Sequence, residues 1–124
     1  DDKDLLNILK NYIDISFITS DQFGYSISKK RVKEMGFKLN YVPTPNRYQW
    51  VKKNFDLKKL IFMGDGFNDI KLIRNSYFSI CPQNSFAEAK RYSTLITKNK
   101  GGERAVAEAC IYILSKFFKK KSKI

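Results

Sequence analysis

Two carboxylates lie close together in the segment IFMGDGFNDI, which covers residues 61–70. Asp65 directly follows an apolar run, and Asp69 comes about one helical turn later, so both side chains are expected at the same strand end. Two carboxylates this close repel each other unless a cation or a proton lies between them. The chain contains no histidine. Metal chemistry here would therefore use oxygen ligands, which favours a hard ion such as Mg²⁺.

Hydroxyl and basic side chains follow two other apolar runs. Thr19 and Ser20 come at the end of IDISFIT, and Arg47 follows LNYVP after a short loop. Hydroxyls and a cation suit phosphate oxygens, whereas carboxylates suit a metal. Each feature alone has a structural alternative, because Thr-Ser after a strand is often a helix N-cap and Asp-Gly is common in turns.

Strands and helices are predicted to alternate along the chain. The apolar runs predict strands over 13–19, 39–43, 60–64, 77–81 and 94–97. Helical patterns lie over 4–12, from 26 to a C-cap at Gly36, and over 46–55, 67–76, 85–92 and 102–120. This order predicts an α/β fold: a doubly wound, Rossmann-like, mostly parallel sheet with helices on both faces. Ligands of such sheets bind at the carboxyl ends of the strands.

The formal net charge of +12 could suit nucleic acid, a membrane surface or anionic small molecules. The lysines are dispersed and form no recognisable nucleic-acid motif or aromatic-basic platform, so no specific nucleic acid partner is expected. No apolar run approaches the roughly 18 to 20 residues of a membrane helix, and no signal peptide is visible. A cytoplasmic protein without a membrane partner is therefore expected.

The chain is expected to form one domain over residues 1–118, followed by a basic, mobile tail over 119–124. Its two cysteines, Cys81 and Cys110, lie in apolar segments without metal-ligand spacing. They are expected to be buried free thiols rather than a disulfide.

Several motifs resemble those of the haloacid dehalogenase-like (HAD) phosphohydrolases. FITS at 17–20, a cation on the next helix, and IFMGDGFND at 61–69 are similar to the second, third and fourth motifs of that superfamily. ISKKRVKEMGFKLNYVP and GGERAVAEACIYIL resemble segments of its small capless subgroup. That subgroup includes 3-deoxy-D-manno-octulosonate (KDO) 8-phosphate phosphatase and phosphatases of nonulosonic (sialic-type) acid 9-phosphates.

The resemblance implies a Mg²⁺-dependent phosphatase, a hydrolase that acts on a sugar-acid phosphate in lipopolysaccharide or sialic acid biosynthesis. Thr19, Ser20 and Arg47 would bind the phosphate. Asp65 would ligate Mg²⁺, and Asp69 would support the metal site from close by. The subgroup is typically tetrameric, so a homo-oligomer is also implied.

Three further residues acquire roles from the same resemblance. Gly64 and Gly66 would let the main chain pass close to the metal, and Asn68 would orient the loop.

The third motif of the family normally supplies a lysine, whereas Arg47 stands at the matching place here. Arginine keeps the charge but presents it as a planar fork. Lys52 and Lys53, one to two turns further on, stay open as alternatives.

The family's nucleophile is the first aspartate of a D-x-D pair at the tip of the first strand. The segment DDKD at 1–4 has no apolar strand before it, and Asp1 and Asp2 are interpreted as residues that open a helix. We therefore expect a core that lacks the family's first strand and flap hairpin. Three alternatives stay open: a truncated enzyme, completion by another polypeptide, or a non-catalytic regulatory or oligomerisation domain. The last could be attached to a CMP-sialic acid synthetase-type nucleotidyltransferase.

Overall fold

The computed structural model describes residues 2–119 of the chain. Its strands are β1 (Phe17–Thr19), β2 (Leu39–Tyr41), β3 (Ile61–Met63), β4 (Phe78–Cys81) and β5 (Leu95–Ile96). Its helices are α1 (Asp2–Leu9), α2 (Tyr25–Glu34), α3 (Arg47–Asn54), α4 (Ile70–Asn75), α5 (Ala87–Tyr92) and α6 (Ala105–Phe118). Short 3₁₀ turns cover Thr44–Asn46, Leu57–Lys59 and Phe67–Asp69. Each predicted strand and helix has a counterpart, so the predicted α/β order is confirmed.

The strands form two parallel ladders rather than one continuous sheet. In the first ladder β1 pairs with β2, and in the second β3, β4 and β5 pair in that order. Phe17 lies opposite Leu39, and Ile61 lies opposite Phe78. Among residues 2–119, no ladder joins β1 to β3.

Both ladders pack between the same two layers of helices. On one face, Phe17 of β1 and Met63 of β3 pack in a cluster with buried residues of α1 and α6. On the other face, Ile18 and Phe62 pack in a cluster with buried residues of α3, α4 and α5. Neighbouring residues of a strand point to opposite faces. The two ladders therefore lie in one layer with helices on both faces, which confirms the predicted doubly wound architecture.

The acidic N-terminal segment lies in helix α1 and not at the end of a strand. Asp2 and Asp4 lie in its first turn, where carboxylates are favoured by the helix dipole. The Asp2 carboxylate accepts a hydrogen bond of 2.8 Å from the N–H of Ala107 in the first turn of α6. That N–H has no partner within its own helix. The interpretation that Asp2 opens a helix is confirmed, while Asp1 lies outside the described residues.

The strand prediction over residues 13–19 was too long. Main-chain N–H groups of Lys10 and Ile13 donate to the carbonyls of Leu6 and Leu9, so turns continue after α1. Only Phe17–Thr19 pairs with β2. The apolar residues at 13 and 15 instead pack against the cluster formed with α1 and α6.

Both cysteines are buried free thiols, as the sequence predicts. Burial raises the pKa of Cys81, and burial raises that of Cys110 to about 11. In residues 2–119, no helix is long and apolar enough to cross a membrane. Helix α6 ends at Phe118, and residues 120–124 of the expected tail lie outside the described part of the chain.

Candidate functional site

The loop after β3 returns the second carboxylate to the strand end. The 3₁₀ turn Phe67–Asp69 follows Gly66, and Asp69 is only 5% exposed. One oxygen of its carboxylate accepts hydrogen bonds of 3.1 Å from the N–H groups of Asp65 and Gly66. The Asp69 side chain therefore fixes the loop that carries Asp65.

The two glycines of this loop differ in how much space surrounds them. A Cβ on Gly64 would lie 2.7 Å from the Phe62 ring and 2.8 Å from the Asp69 carboxylate. A Cβ on Gly66 would meet Asp69 only at 3.8 Å, an ordinary contact. Position 64 therefore requires a glycine because the Asp69 carboxylate approaches its main chain closely, whereas packing does not require a glycine at position 66.

Arg47 connects the carboxyl ends of β1 and β3. Its Nη1 donates to the second carboxylate oxygen of Asp69 at 2.5 Å, and its Nη2 donates to Ser20 Oγ at 2.6 Å. Ser20 Oγ in turn donates to the carbonyl of Val42, just beyond β2, at 2.6 Å. Arg47 thus lies at the strand ends, whereas Lys52 and Lys53 are exposed in the last turn of α3.

Thr19 is the last residue of β1 and its hydroxyl stabilises the next turn. Its Oγ1 accepts a hydrogen bond of 3.1 Å from the N–H of Asp21. The Asp21 carboxylate accepts from the N–H groups of Phe23 and Gly24. Because α2 has Gly24 as its N-cap, without a side-chain cap, the alternative reading of Thr19-Ser20 as an N-cap is wrong.

The Asp65 side chain is exposed in the loop after β3. Its main-chain carbonyl accepts from the N–H of Phe86 at 2.8 Å, which ties the loop after β3 to the loop after β4. Within residues 2–119, the structure describes no hydrogen bond or ion pair to its carboxylate. Asn68 is also exposed, and in this same range the hydrogen bonds that orient the loop come from Asp69.

The donor set fits a hard cation only in part. Both oxygens of Asp69 already have partners, whereas the Asp65 carboxylate has none among the described residues. In the described part of the chain, no three histidine, cysteine or acidic side chains come together to hold a metal. Mg²⁺ usually uses one or two carboxylates together with waters and phosphate oxygens. Asp65 can therefore serve as one ligand, with the remaining ligands supplied from elsewhere.

An exposed aromatic pair lies in the loops after β3 and β4, and the sequence motifs do not predict it. Phe67 is 67% exposed, and its ring meets that of Phe86 edge-to-face at 5.7 Å between centroids. One sequence feature could have indicated this pair: Phe67 is an aromatic residue two positions after Asp65, in a loop that begins after the apolar run has ended.

The fold and site define an α/β domain with hydroxyl, cationic and acidic side chains at the carboxyl ends of parallel strands. The model of the haloacid dehalogenase-like hydrolase family matches residues 47–110, just over half of the chain. The chain belongs to this family. The matched region contains Arg47, Asp65 and Asp69.

Solved structures with the same fold agree with this assignment. KDO 8-phosphate phosphatase from Moraxella catarrhalis, in complex with magnesium, phosphate and KDO, is 27% identical with a TM-score of 0.78, over 92% of this chain and 68% of that one. A yrbi-family protein from Pseudomonas syringae is 21% identical with a TM-score of 0.83, over 92% and 67%. The cobalt-bound deoxy-D-mannose-octulosonate 8-phosphate phosphatase from Haemophilus influenzae is 17% identical with a TM-score of 0.77, over 92% and 69%.

The chain thus spans about two thirds of the length of these structures. No curated protein matches it.

Proposed function

We propose that this chain forms the phosphate- and metal-binding part of a Mg²⁺-dependent phosphomonoesterase that acts on a sugar-acid phosphate. One observation carries the proposal: Arg47 is held between Ser20 and Asp69, and the same Asp69 carboxylate holds the main chain of Asp65, whose own carboxylate has no partner among the described residues. This arrangement brings an anion-binding cation and a metal-binding carboxylate to one edge of the sheet.

Arg47 keeps donors for a phosphate oxygen. A guanidinium has five N–H donors, and the structure uses one on Nη1 and one on Nη2, which leaves the second N–H of each of these nitrogens. Nε is buried and has no partner among the described residues. The Thr19 hydroxyl, which accepts from Asp21 and keeps its own proton for donation, lies at the same strand end and completes the anion-binding side. The Ser20 hydroxyl donates its proton to Val42 and would contribute by holding Arg47 in place. Bound Mg²⁺, held by Asp65, would supply Lewis-acid stabilisation of charge on the phosphoryl oxygens.

The proposed substrate is KDO 8-phosphate or a sialic-type acid 9-phosphate. The support is the 27% identical relative that was solved with magnesium, phosphate and KDO, together with the capless-subgroup motifs in the sequence. A homo-oligomer, a tetramer by the same resemblance, is proposed as the assembled form.

The nucleophile is proposed to come from outside the described residues. Asp2 and Asp4 lie on α1, and Asp2 is hydrogen-bonded to α6, so neither lies at a strand tip. In residues 2–119, no third acidic side chain joins Asp65 and Asp69. This observation also favours the second candidate function, a non-catalytic HAD-like domain such as a regulatory or oligomerisation module.

Metal binding tests the proposed role of Asp65. In ¹⁵N-labelled protein, Mn²⁺ should broaden the amide signals of Gly64, Asp65 and Gly66, and excess Mg²⁺ should restore them. Asp65→Asn should abolish the broadening, whereas Asp14→Asn, at another exposed carboxylate, should not. Equal broadening in both variants would contradict the metal site.

Turnover tests whether the chain is complete as a catalyst. The 124-residue chain alone is expected not to hydrolyse KDO 8-phosphate in the presence of Mg²⁺. Measurable hydrolysis that Asp65→Asn abolishes would show that the nucleophile lies within these residues.

A further inference from the structure

A groove of about 500 Å³ lies beside β2, and none of the residues of the candidate site lines it. Its volume is within the range of about 300 to 1,000 Å³ that is typical of small-molecule sites. Three aromatic and three basic side chains define its chemistry: Tyr25, Lys29, Lys33, Lys38, Tyr41 and Trp50. They come from α2, α3 and the segment of β2, so only the fold brings them together.

The groove lies at the outer edge of the sheet layer, because β2 is the last strand of its ladder. Phe37, which also lines the groove, packs in the cluster with α1 and α6 on one face. Trp50 packs in the cluster with α3, α4 and α5 on the other face. The lining therefore reaches from one face of the sheet to the other around β2.

Main-chain groups of β2 point towards this edge. The N–H of Val42 donates to the carbonyl of Thr19, so it bonds towards β1. Main-chain groups of successive residues point to opposite sides of a strand, so those of Tyr41 point away from β1. On this outer side the Tyr25 hydroxyl donates to the carbonyl of Leu39 at 3.5 Å. No strand among residues 2–119 pairs with Tyr41 there, which leaves it one donor and one acceptor.

The aromatic side chains offer a flat apolar surface. The rings of Tyr25 and Tyr41 meet at 5.7 Å between centroids, and Lys29 Nζ lies 5.6 Å from the Tyr25 centroid. Tyr41 is 37% exposed, and Trp50 is half-buried. Aromatic side chains of this kind stack against planar bases with little preference for sequence.

The lysines give the groove an uncompensated positive charge. Lys29 and Lys33 are four residues apart on the same face of α2, which separates them by about 6 Å along the helix axis. Lys38 lies just before β2. In the described part of the chain, none of the three forms an ion pair and no acidic residue lines the groove. Ammonium groups bind phosphate oxygens through charge-assisted hydrogen bonds.

We propose that this groove binds a free nucleoside diphosphate, with its base against Tyr41 and Trp50 and its phosphates on Lys29, Lys33 and Lys38. A single-stranded nucleic acid carries the same groups, but folds that bind single strands cover roughly four nucleotides or more. The volume of the groove therefore favours the free nucleotide. The proposal goes beyond the phosphatase function, because no residue of that site lines the groove.

Tryptophan fluorescence tests this binding, because Trp50 is the only tryptophan of the chain. ADP, added without Mg²⁺, should quench the fluorescence with saturation below about 1 mM, whereas inorganic diphosphate, which has no ring, should bind at least about tenfold more weakly. Absence of saturable quenching, or equal affinity for inorganic diphosphate, would overturn the proposal. Tighter binding of the oligonucleotide (dT)₈ than of ADP would also overturn it and would assign the groove to nucleic acid.

Two matched pairs of substitutions separate the groove from the general positive charge. Lys29→Gln with Lys33→Gln should weaken ADP binding at least about tenfold, since both phosphate-binding ammonium groups are lost. Lys98→Gln with Lys100→Gln removes the same charge from exposed positions in the loop after β5 and should have no effect. Equal weakening by both pairs would show diffuse attraction and would overturn the proposal.

Amide signals of the unmodified ¹⁵N-labelled chain locate the nucleotide directly, and they decide even if the Lys29→Gln and Lys33→Gln chain does not fold. ADP should shift the amide signals of Leu39, Asn40 and Tyr41. The signals of Ser20 and Gly66, in the candidate phosphatase site, should not move. Shifts at Ser20 and Gly66 without shifts along β2 would place ADP in that site and would overturn the proposal.

Discussion

Arg47 acts as the junction between the two ladders because its guanidinium can donate in two directions at once. Nη1 contacts the carboxylate of Asp69, and Nη2 contacts the hydroxyl of Ser20. A lysine, which the family resemblance leads one to expect here, carries a compact ammonium on a flexible stem and lacks this planar geometry. The arginine therefore fits a site in which the cation must also bridge two strand ends.

Replacing Arg47 should destabilise the fold as well as the site. Arg47→Met leaves the Asp69 carboxylate, which is 5% exposed, without its cation. Loss of one partner of a buried pair costs about 3 to 5 kcal/mol. Because the Arg47 side chain is 17% exposed, we expect a smaller loss of about 2 to 3 kcal/mol in the free energy of unfolding, measured by urea denaturation.

Two control variants accompany Arg47→Met. Arg47→Lys should recover only part of the loss, because a single nitrogen would replace the two nitrogens that contact Asp69 and Ser20. Lys52→Met, at an exposed position of the same helix, should stay within about 0.5 kcal/mol of the unmodified chain. An Arg47→Met variant as stable as Lys52→Met would contradict the bridging role.

Gly64 is predicted to tolerate no side chain. Gly64→Ala brings a methyl group within 2.8 Å of the Asp69 carboxylate, and such overpacking typically costs about 1 to 3 kcal/mol. Gly66→Ala, with its nearest contact at 3.8 Å, serves as the control and should have little effect. Urea denaturation of both variants measures the difference, and equal stabilities would contradict the packing argument.

At the scale of elements, apolar runs separated by helical patterns were enough to predict the order of strands and helices. They could not predict where β1 begins, because the apolar residues at 13 and 15 pack in the core without pairing. Nor could they predict the split into two ladders, because the apolar sequence pattern of a strand is the same whether one or both of its edges are paired. The roles of Gly64 and Gly66 also differ for reasons of three-dimensional packing alone.

Glu108 connects α6 to the loop after β5, and this contact should depend on pH. Its carboxylate accepts hydrogen bonds from the N–H groups of Lys98 and Asn99 and from the Asn99 side chain. Burial alone would raise the pKa of Glu108, but these hydrogen bonds lower it overall. The stabilisation is therefore present above the carboxyl pKa of the unfolded chain and is lost as pH falls through the lowered pKa of the folded chain.

Glu108→Gln tests this contact. At pH 7 it should lower the free energy of unfolding by about 0.5 to 1 kcal/mol, a modest value because solvent screens the partly exposed group. The difference should shrink at about pH 3, where the carboxyl is increasingly protonated. Glu88→Gln, whose ion pair with Arg91 is exposed and 3.9 Å long, should show little effect at either pH. A loss from Glu108→Gln that does not change with pH would contradict the assignment.

At the scale of the whole molecule, the two hydrophobic cores are joined through the sheet. Phe78 and Ile80 of β4 belong to the core with α1 and α6, while Cys81 belongs to the core with α3, α4 and α5. All four residues of β4 are buried. Strand β4 therefore contributes to both cores at once, and neither should be able to open without disturbing it.

The two thiols report separately on these cores, because Cys110 lies in the first and Cys81 in the second. Both should be unreactive towards a thiol reagent in the native chain, since each is buried and its pKa is raised. On addition of urea, both should become reactive with the same midpoint, because a small domain with shared core strands unfolds cooperatively. Pulsed alkylation followed by mass spectrometry of the peptides gives each midpoint, with Cys81→Ala and Cys110→Ala to assign the signals. A lower midpoint for one thiol would show that the cores unfold independently.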